Sequence, residues 1–325
     1  MVHNKPKVST KATTNKSASS GRLSFVAFCS ERQKVLEARR SNLPRADWTN
    51  DPILKQGRFC NIDRRDDFVT AELLTQLRER PHWMLQERVL LCAALRFTGS
   101  RRGEAAVLAD LIEARRTETK RACTPLQSAL ETEQIRCGTG TYQLSLNRKQ
   151  VSTVIEKMAA AVVERVSSKA GAYADVLEAS DHIAELMTVG KRPQFSANET
   201  AKDFAYIDGL MVPTKNGHRC RLGPGAKKGL TLVRAADKEL HGMGDEEAIN
   251  WLRTAMRKLP NLAWVEAIDV EQALCEFSKY EAYRTAGISK MKRFEPQSSR
   301  LTQTRTVRLH VWNPGAPSWS VKREQ

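Results

Sequence analysis

The chain has no run of about 18 apolar residues, the length that would cross a bilayer, and its start lacks the apolar stretch that a secretory signal requires. Seven cysteines stand at Cys29, Cys60, Cys92, Cys123, Cys137, Cys220 and Cys275. Their odd number, their scatter and the absence of any Cys-x-x-Cys pair exclude a disulfide framework and predict reduced thiols in the cytoplasm. Six isolated histidines and no His-Glu-x-x-His pattern exclude the usual protein-built zinc sites. The Gly-x4-Gly-Lys-Ser/Thr loop is also missing, which argues against an ATP-dependent kinase within this chain. Strand signals are scarce, and only 141–146 and 306–312 are rich in β-formers.

Acidic residues are in deficit too: 37 against 53 basic ones, a formal charge of +16. That balance favours a polyanionic partner, nucleic acid first, through counterion release and steering. With 325 residues, 41% of them apolar, the chain can bury a sizeable core. Apolar residues recur at three- and four-residue intervals and predict helices over about 23–40, 66–78, 83–97, 101–116, 124–134, 148–167, 172–188, 195–207, 226–239, 245–258 and 265–285. The fold class expected is mainly α. Residues 1–21 hold four lysines, no acid and many Ser, Thr and Asn, a composition that predicts a flexible basic tail. The helical domain is expected over 22–313, in one or two lobes, followed by a tail over 314–325.

Three segments concentrate reactive groups. Arg58 to Thr70 holds Arg58, Asn61, Arg64, Asp66 and Thr70 among Phe59, Ile62, Phe68 and Val69. If it is helical, Asp66 and Thr70 share a face. A solvated helix start capped by Asp63, Asp66 or Asp67 explains the same charges. Around Gly223-Pro224-Gly225-Ala226-Lys227-Lys228-Gly229-Leu230, a tight turn opens a helix whose free N–H groups and lysines suit a phosphate, although a plain connecting turn has the same composition. In the third segment, Ala267, Val270, Leu274 and Phe277 form a buried stripe, and Gln272, Glu276, Lys279 and Tyr280 a polar face beside it. Residue types alone also allow an ordinary helix carrying a surface Glu276–Lys279 pair.

In this order and spacing the segments resemble the alpha-glutamyl/putrescinyl thymine pyrophosphorylase family, also described as the helical domain associated with 5-hydroxymethyluracil DNA kinases. The resemblance rests on Trp48 to Leu54, Arg58 to Thr70, Gly223 to Leu230 and Leu274 to Tyr280. It departs at Ile62, Phe68 and Ser278, where the family usually has Val, Arg and Asp. The two latter changes put the details of substrate contact in question.

The resemblance implies a DNA glycosylase-like helical fold with helix-hairpin-helix elements. It further implies an amino acid:DNA transferase of phage thymine hypermodification, acting in the host-cell cytoplasm. A DNA base kinase would supply phosphorylated 5-hydroxymethyluracil in double-stranded DNA, and the flipped base would exchange its (pyro)phosphate for an amino acid or polyamine. Asp66, Glu276 and Asp203 are the expected catalytic acids. Arg58, Asn61, Arg64, Thr70, Gly223, Gly225, Lys227, Lys279 and Tyr280 are the expected substrate and phosphate contacts. No protein metal site is expected, and magnesium is the one cofactor considered. A DNA glycosylase and a noncatalytic DNA-binding subunit are the competing readings.

Overall fold

Local capping signals set where the helices begin. In the computed structural model, which describes residues 24–98, 104–117, 148–187, 193–214 and 217–287, Ser24 caps α1 (Phe25–Arg40) by accepting the Ala27 N–H at 3.3 Å. Asp51 caps the short α2 (Pro52–Gln56) more fully, its Oδ1 accepting the N–H groups of Ile53 and Leu54 at 2.8 and 2.9 Å. There follow α3 (Phe68–Glu79), α4 (Leu85–Thr98), α5 (Glu104–Thr117), α6 (Arg148–Ser167), α7 (Val176–Leu186) and α8 (Pro193–Phe204). After them come α9 (Pro224–Ala236), α10 (Asp245–Arg257) and α11 (Ala267–Ala286). Pro224 starts α9 at a position that needs no N–H, and a reciprocal Glu266–Asp269 capping box starts α11.

The mainly helical class and the helix positions agree with the sequence to within a few residues. The helix expected over 124–134, the two strand signals and both tails lie outside the described residues. Among the described residues the only β pairing is an isolated bridge between Tyr173 and Met211, and no helix is long and apolar enough to cross a membrane.

One local expectation is corrected. The helix expected from Asp66 begins at Phe68 instead: a single 3-10 turn capped by Asp63 covers Arg64–Asp66, and Asp67 adopts extended backbone before α3 begins. Asp66 and Thr70 therefore point to different partners, Arg40 and Asp203.

Two hydrophobic clusters build the interior. One gathers α3 to α8 around Leu73, Leu91, Leu95, Leu108, Ile155, Val162, Ile183 and Phe204. The other unites the first helices with the last, packing Phe25, Phe28, Ile53, Leu54 and Ile62 against Leu230, Leu252 and Phe277. The chain thus leaves the second cluster after residue 62 to build the first, then returns. Along the join between them, Arg64 and α11 meet α8, and Ile268 of α11 packs into the first cluster.

Candidate functional site

The join holds the densest set of buried charges, and its inner part is closed. Arg64 donates from Nη1 to Glu199 at 3.0 Å and from Nε to Asp203 at 3.2 Å, while its backbone N–H reaches Asp269 at 2.9 Å. Arg96 donates to both oxygens of Asp203, at 2.5 and 3.0 Å, and to the Thr70 hydroxyl at 2.6 Å. Lys202 joins Glu199 at 2.7 Å to Glu271 at 2.6 Å, and Glu271 accepts the Gly223 N–H at 3.1 Å. Three cations thus face three enclosed carboxylates drawn from α4, α8, α11 and the Arg64 turn. Burial pushes the Glu199 carboxyl upward, but Lys202, Arg64 and Arg96 outweigh it and hold the group well below the ordinary range.

Asp203 is fully buried, with both oxygens taken by arginines. In this structure it holds Arg64 and Arg96 in place, with no oxygen turned to an incoming amine.

At its outer end, between α1, residues 59–66 and α11, the join opens. Glu276 Oε2 accepts the Cys60 N–H at 3.0 Å and Lys279 Nζ at 2.6 Å. Asn61 ties the elements together: its side chain accepts from Arg32 Nη2 at 2.7 Å and donates to the Asp66 carbonyl at 3.0 Å, and its own carbonyl accepts from Gln272 at 2.7 Å. Arg58 and Cys60 are exposed, and Lys279 and Asp66 are partly so. Burial and neighbouring Asp63 raise the Asp66 carboxyl above its ordinary range, against the pull of Arg40. An ionised carboxylate in such a place is a stronger base than one in water. Asp66 and Glu276 are thus the two acids of this end, one paired with Arg40 and the other with Lys279.

Arg32 was not anticipated. It is 3% exposed; Nη2 donates to the Phe59 carbonyl and to Asn61, while Nη1 is buried and has no acceptor among the described residues.

The remaining expected contacts lie elsewhere. Tyr280 sits in the aromatic core, 5.1 Å from the Phe28 ring centre, and its hydroxyl donates to Asp51 at 2.6 Å. Gly223 and Gly225 serve helix packing: a Cβ on Gly225 would lie 2.5 Å from Cys275 Sγ, and one on Gly229 would strike the Leu274 carbonyl. The anion at the start of α9 is the chain's own Glu271 carboxylate. Lys227 lies roughly 200° around α9 from Gly225 and is exposed on the far side from α11.

Besides Arg32, the sequence reading passed over Arg96, Glu199, Lys202 and Glu271. Arg96 had a signal: it is the lone charge in the apolar run from Val89 to Phe97, all of it buried. Among the described residues no three His, Cys, Asp or Glu side chains are grouped to hold a metal ion.

Compared with known families, residues 21–290 match the model described as 5-hmdU DNA kinase, helical domain. No curated protein and no solved structure matches the chain.

Proposed function

Since the chain belongs to the family of the helical domain of 5-hmdU DNA kinase, we propose that it exchanges the (pyro)phosphate of phosphorylated 5-hydroxymethyluracil in DNA for an amine. The observation that carries this reading is the convergence at the join. Segments some 200 residues apart in the chain meet there through Cys60–Glu276, Asn61–Gln272 and Arg64–Gln272, and the open end sets two carboxylates beside cations.

In the proposed reaction the base leaves the stack, since a group in the major groove is otherwise hard to enclose. The bond between the C5 methylene and the phosphoryl-bearing oxygen breaks, and its electron pair departs with the (pyro)phosphate. The amine nitrogen forms the new C–N bond and gives up a proton, which Glu276 or Asp66 takes. Arg58 and Lys279, at the exposed edge, offset the departing charge, and Arg64 fixes the loop that carries Asn61 and Asp66. The positive net charge holds the duplex. The amine is an amino acid such as glycine, or a polyamine.

The test is direct. Duplex DNA bearing pyrophosphorylated 5-hydroxymethyluracil is incubated with the protein and a panel of amines, digested to nucleosides and weighed by mass spectrometry. An aminated thymidine is expected. Abasic sites in its place would point to a glycosylase, and bound but unaltered DNA to a scaffold; either result overturns the transfer reading.

A further inference from the structure

Nearly every buried cation at the join has a carboxylate of its own: Arg64 has Glu199 and Asp203, Arg96 has Asp203, and Lys202 has Glu199 and Glu271. Arg32 does not. It is as deeply enclosed, makes no ion pair among the described residues, and satisfies Nη2 with the neutral oxygens of Phe59 and Asn61. Nη1 is shut from solvent without an acceptor.

A buried guanidinium without a counter-charge is strongly disfavoured, so something must repay keeping it there. Core packing does not explain the choice, because an apolar side chain would fill the same space without a stranded donor. Arg32 bonds to Phe59 and Asn61, the two residues that flank the exposed Cys60, and so lies at the open end of the join. Glu276 and Asp66 are already paired with Lys279 and Arg40 and form no ion pair with Arg32.

We propose that Arg32 is the buried half of a phosphate-type anion site, its free Nη1 receiving an oxygen of the group that leaves the modified base while Lys279 meets the same group from the solvent side. The planar fork suits this role, with one nitrogen anchored on the protein and the other pointing at a tetrahedral oxyanion. Phe59 and Asn61 hold the guanidinium in place through Nη2, which leaves Nη1 as the donor for the departing charge. The assignment rests on the transfer reading for the identity of the anion but not for its binding. The same chemistry fits a DNA backbone phosphate, and the experiment separates the two sources.

Inorganic pyrophosphate is titrated into the intact protein by calorimetry, alongside inorganic phosphate and an unmodified duplex in separate arms. Wild type is expected to bind pyrophosphate. Arg32→Gln and Arg32→Lys are expected to lose at least about tenfold in pyrophosphate affinity, since a point charge does not reproduce the fork, while binding of unmodified duplex is unchanged. Lys258→Gln, at the exposed C-terminal end of α10, serves as the control and keeps pyrophosphate affinity. Circular dichroism checks that each variant is folded, and if Arg32→Gln is not, Arg32→Lys and the wild-type titration decide. Wild type that fails to bind pyrophosphate overturns the site, as does unchanged affinity in a folded variant. Loss of duplex binding with pyrophosphate affinity intact assigns Arg32 to the DNA backbone and overturns the leaving-group assignment. Absence of aminated nucleoside, with Arg32-dependent pyrophosphate binding retained, defeats the transfer reading and leaves the anion site standing.

Discussion

The two ends of the join use the same residue types to opposite effect. In the closed part Arg64, Arg96 and Lys202 face Glu199, Asp203 and Glu271, and each charge finds its partner within the chain. At the open end, a few residues along α11 and the 58–70 segment, Arg58 is exposed, Lys279 and Asp66 reach solvent, and Arg32 keeps a donor unused. Nothing in composition separates these regions. What separates them is whether the electrostatic bookkeeping closes inside the fold. Where it closes, the residues hold the two clusters together; where it does not, Arg32 keeps the donor that the proposed anion would take.

The comparison breaks most severely at Asp203. Asp203→Asn removes the carboxylate that Arg64 and Arg96 share, leaving Arg64 only Glu199 and Arg96 only Asp67, and loss of one partner from a buried pair costs about 3–5 kcal/mol. Urea unfolding followed by circular dichroism is expected to show that loss, with binding and chemistry failing only as folding fails. An Asp203→Asn variant of wild-type stability and reduced transfer would instead return that residue to the chemistry. Glu276→Gln should behave the other way. Its transfer rate is expected to fall about a hundredfold, with DNA affinity within twofold of wild type, read by mass-spectrometric kinetics and fluorescence anisotropy. Full activity in that variant would remove Glu276 as a base.

Smaller effects sharpen the contrast. Gly229→Ala forces α9 away from the Leu274 carbonyl, and overpacking of this kind costs about 1–3 kcal/mol. The expected readout is a lowered thermal midpoint, and a midpoint equal to wild type would deny the close approach.

Acid should act on the closed part through Glu199. Its folded-state carboxyl lies below the ordinary value of 4.5, so its contribution is fully present above that pH and is lost as pH falls through the lower folded value. The stability gap between wild type and Glu199→Gln is therefore expected to be widest near neutrality and to narrow toward pH 3. A gap that widens in acid contradicts the depressed value. The smallest effect concerns Lys227 and Lys228: replacing both with Gln should leave stability unchanged and reduce the slope of log affinity against log salt by about 1–2 units. An unchanged slope would take both off the DNA-facing surface.

Much of the fold was legible because helix periodicity is local. The stripe Val270, Leu274 and Phe277 announced the buried face of α11. The Asp66–Thr70 face does not form because α3 starts only at Phe68, with Asp67 at its cap position, and the acids of this segment fitted a helix start as well as a helix face. Gly225 looked like a phosphate contact because a glycine at a helix start fits an anion or a neighbouring helix equally well. Only the position of Cys275, more than forty residues away, decides between them. Arg32 was hidden for a related reason. One arginine on an amphipathic helix is unremarkable until the fold shows that it faces inward and that its nearest acceptors are already few.

The path of the chain through its two clusters has a consequence for how the molecule is made. Tyr280 bonds to Asp51 across a separation of 229 residues, and Cys60 meets Glu276 across 216. During synthesis α1 and α2 emerge first, with their apolar faces unmatched, and wait while α3 to α8 are completed. Closing so long a loop is entropically unfavourable and slow relative to forming local helix pairs. The middle helices therefore assemble early, and the first and last helices join onto them only when α11 has left the ribosome. Because Glu276 and Lys279 stand on α11 and Glu276 meets Cys60 only in that last step, no partly made chain carries the complete set of charges at the open end.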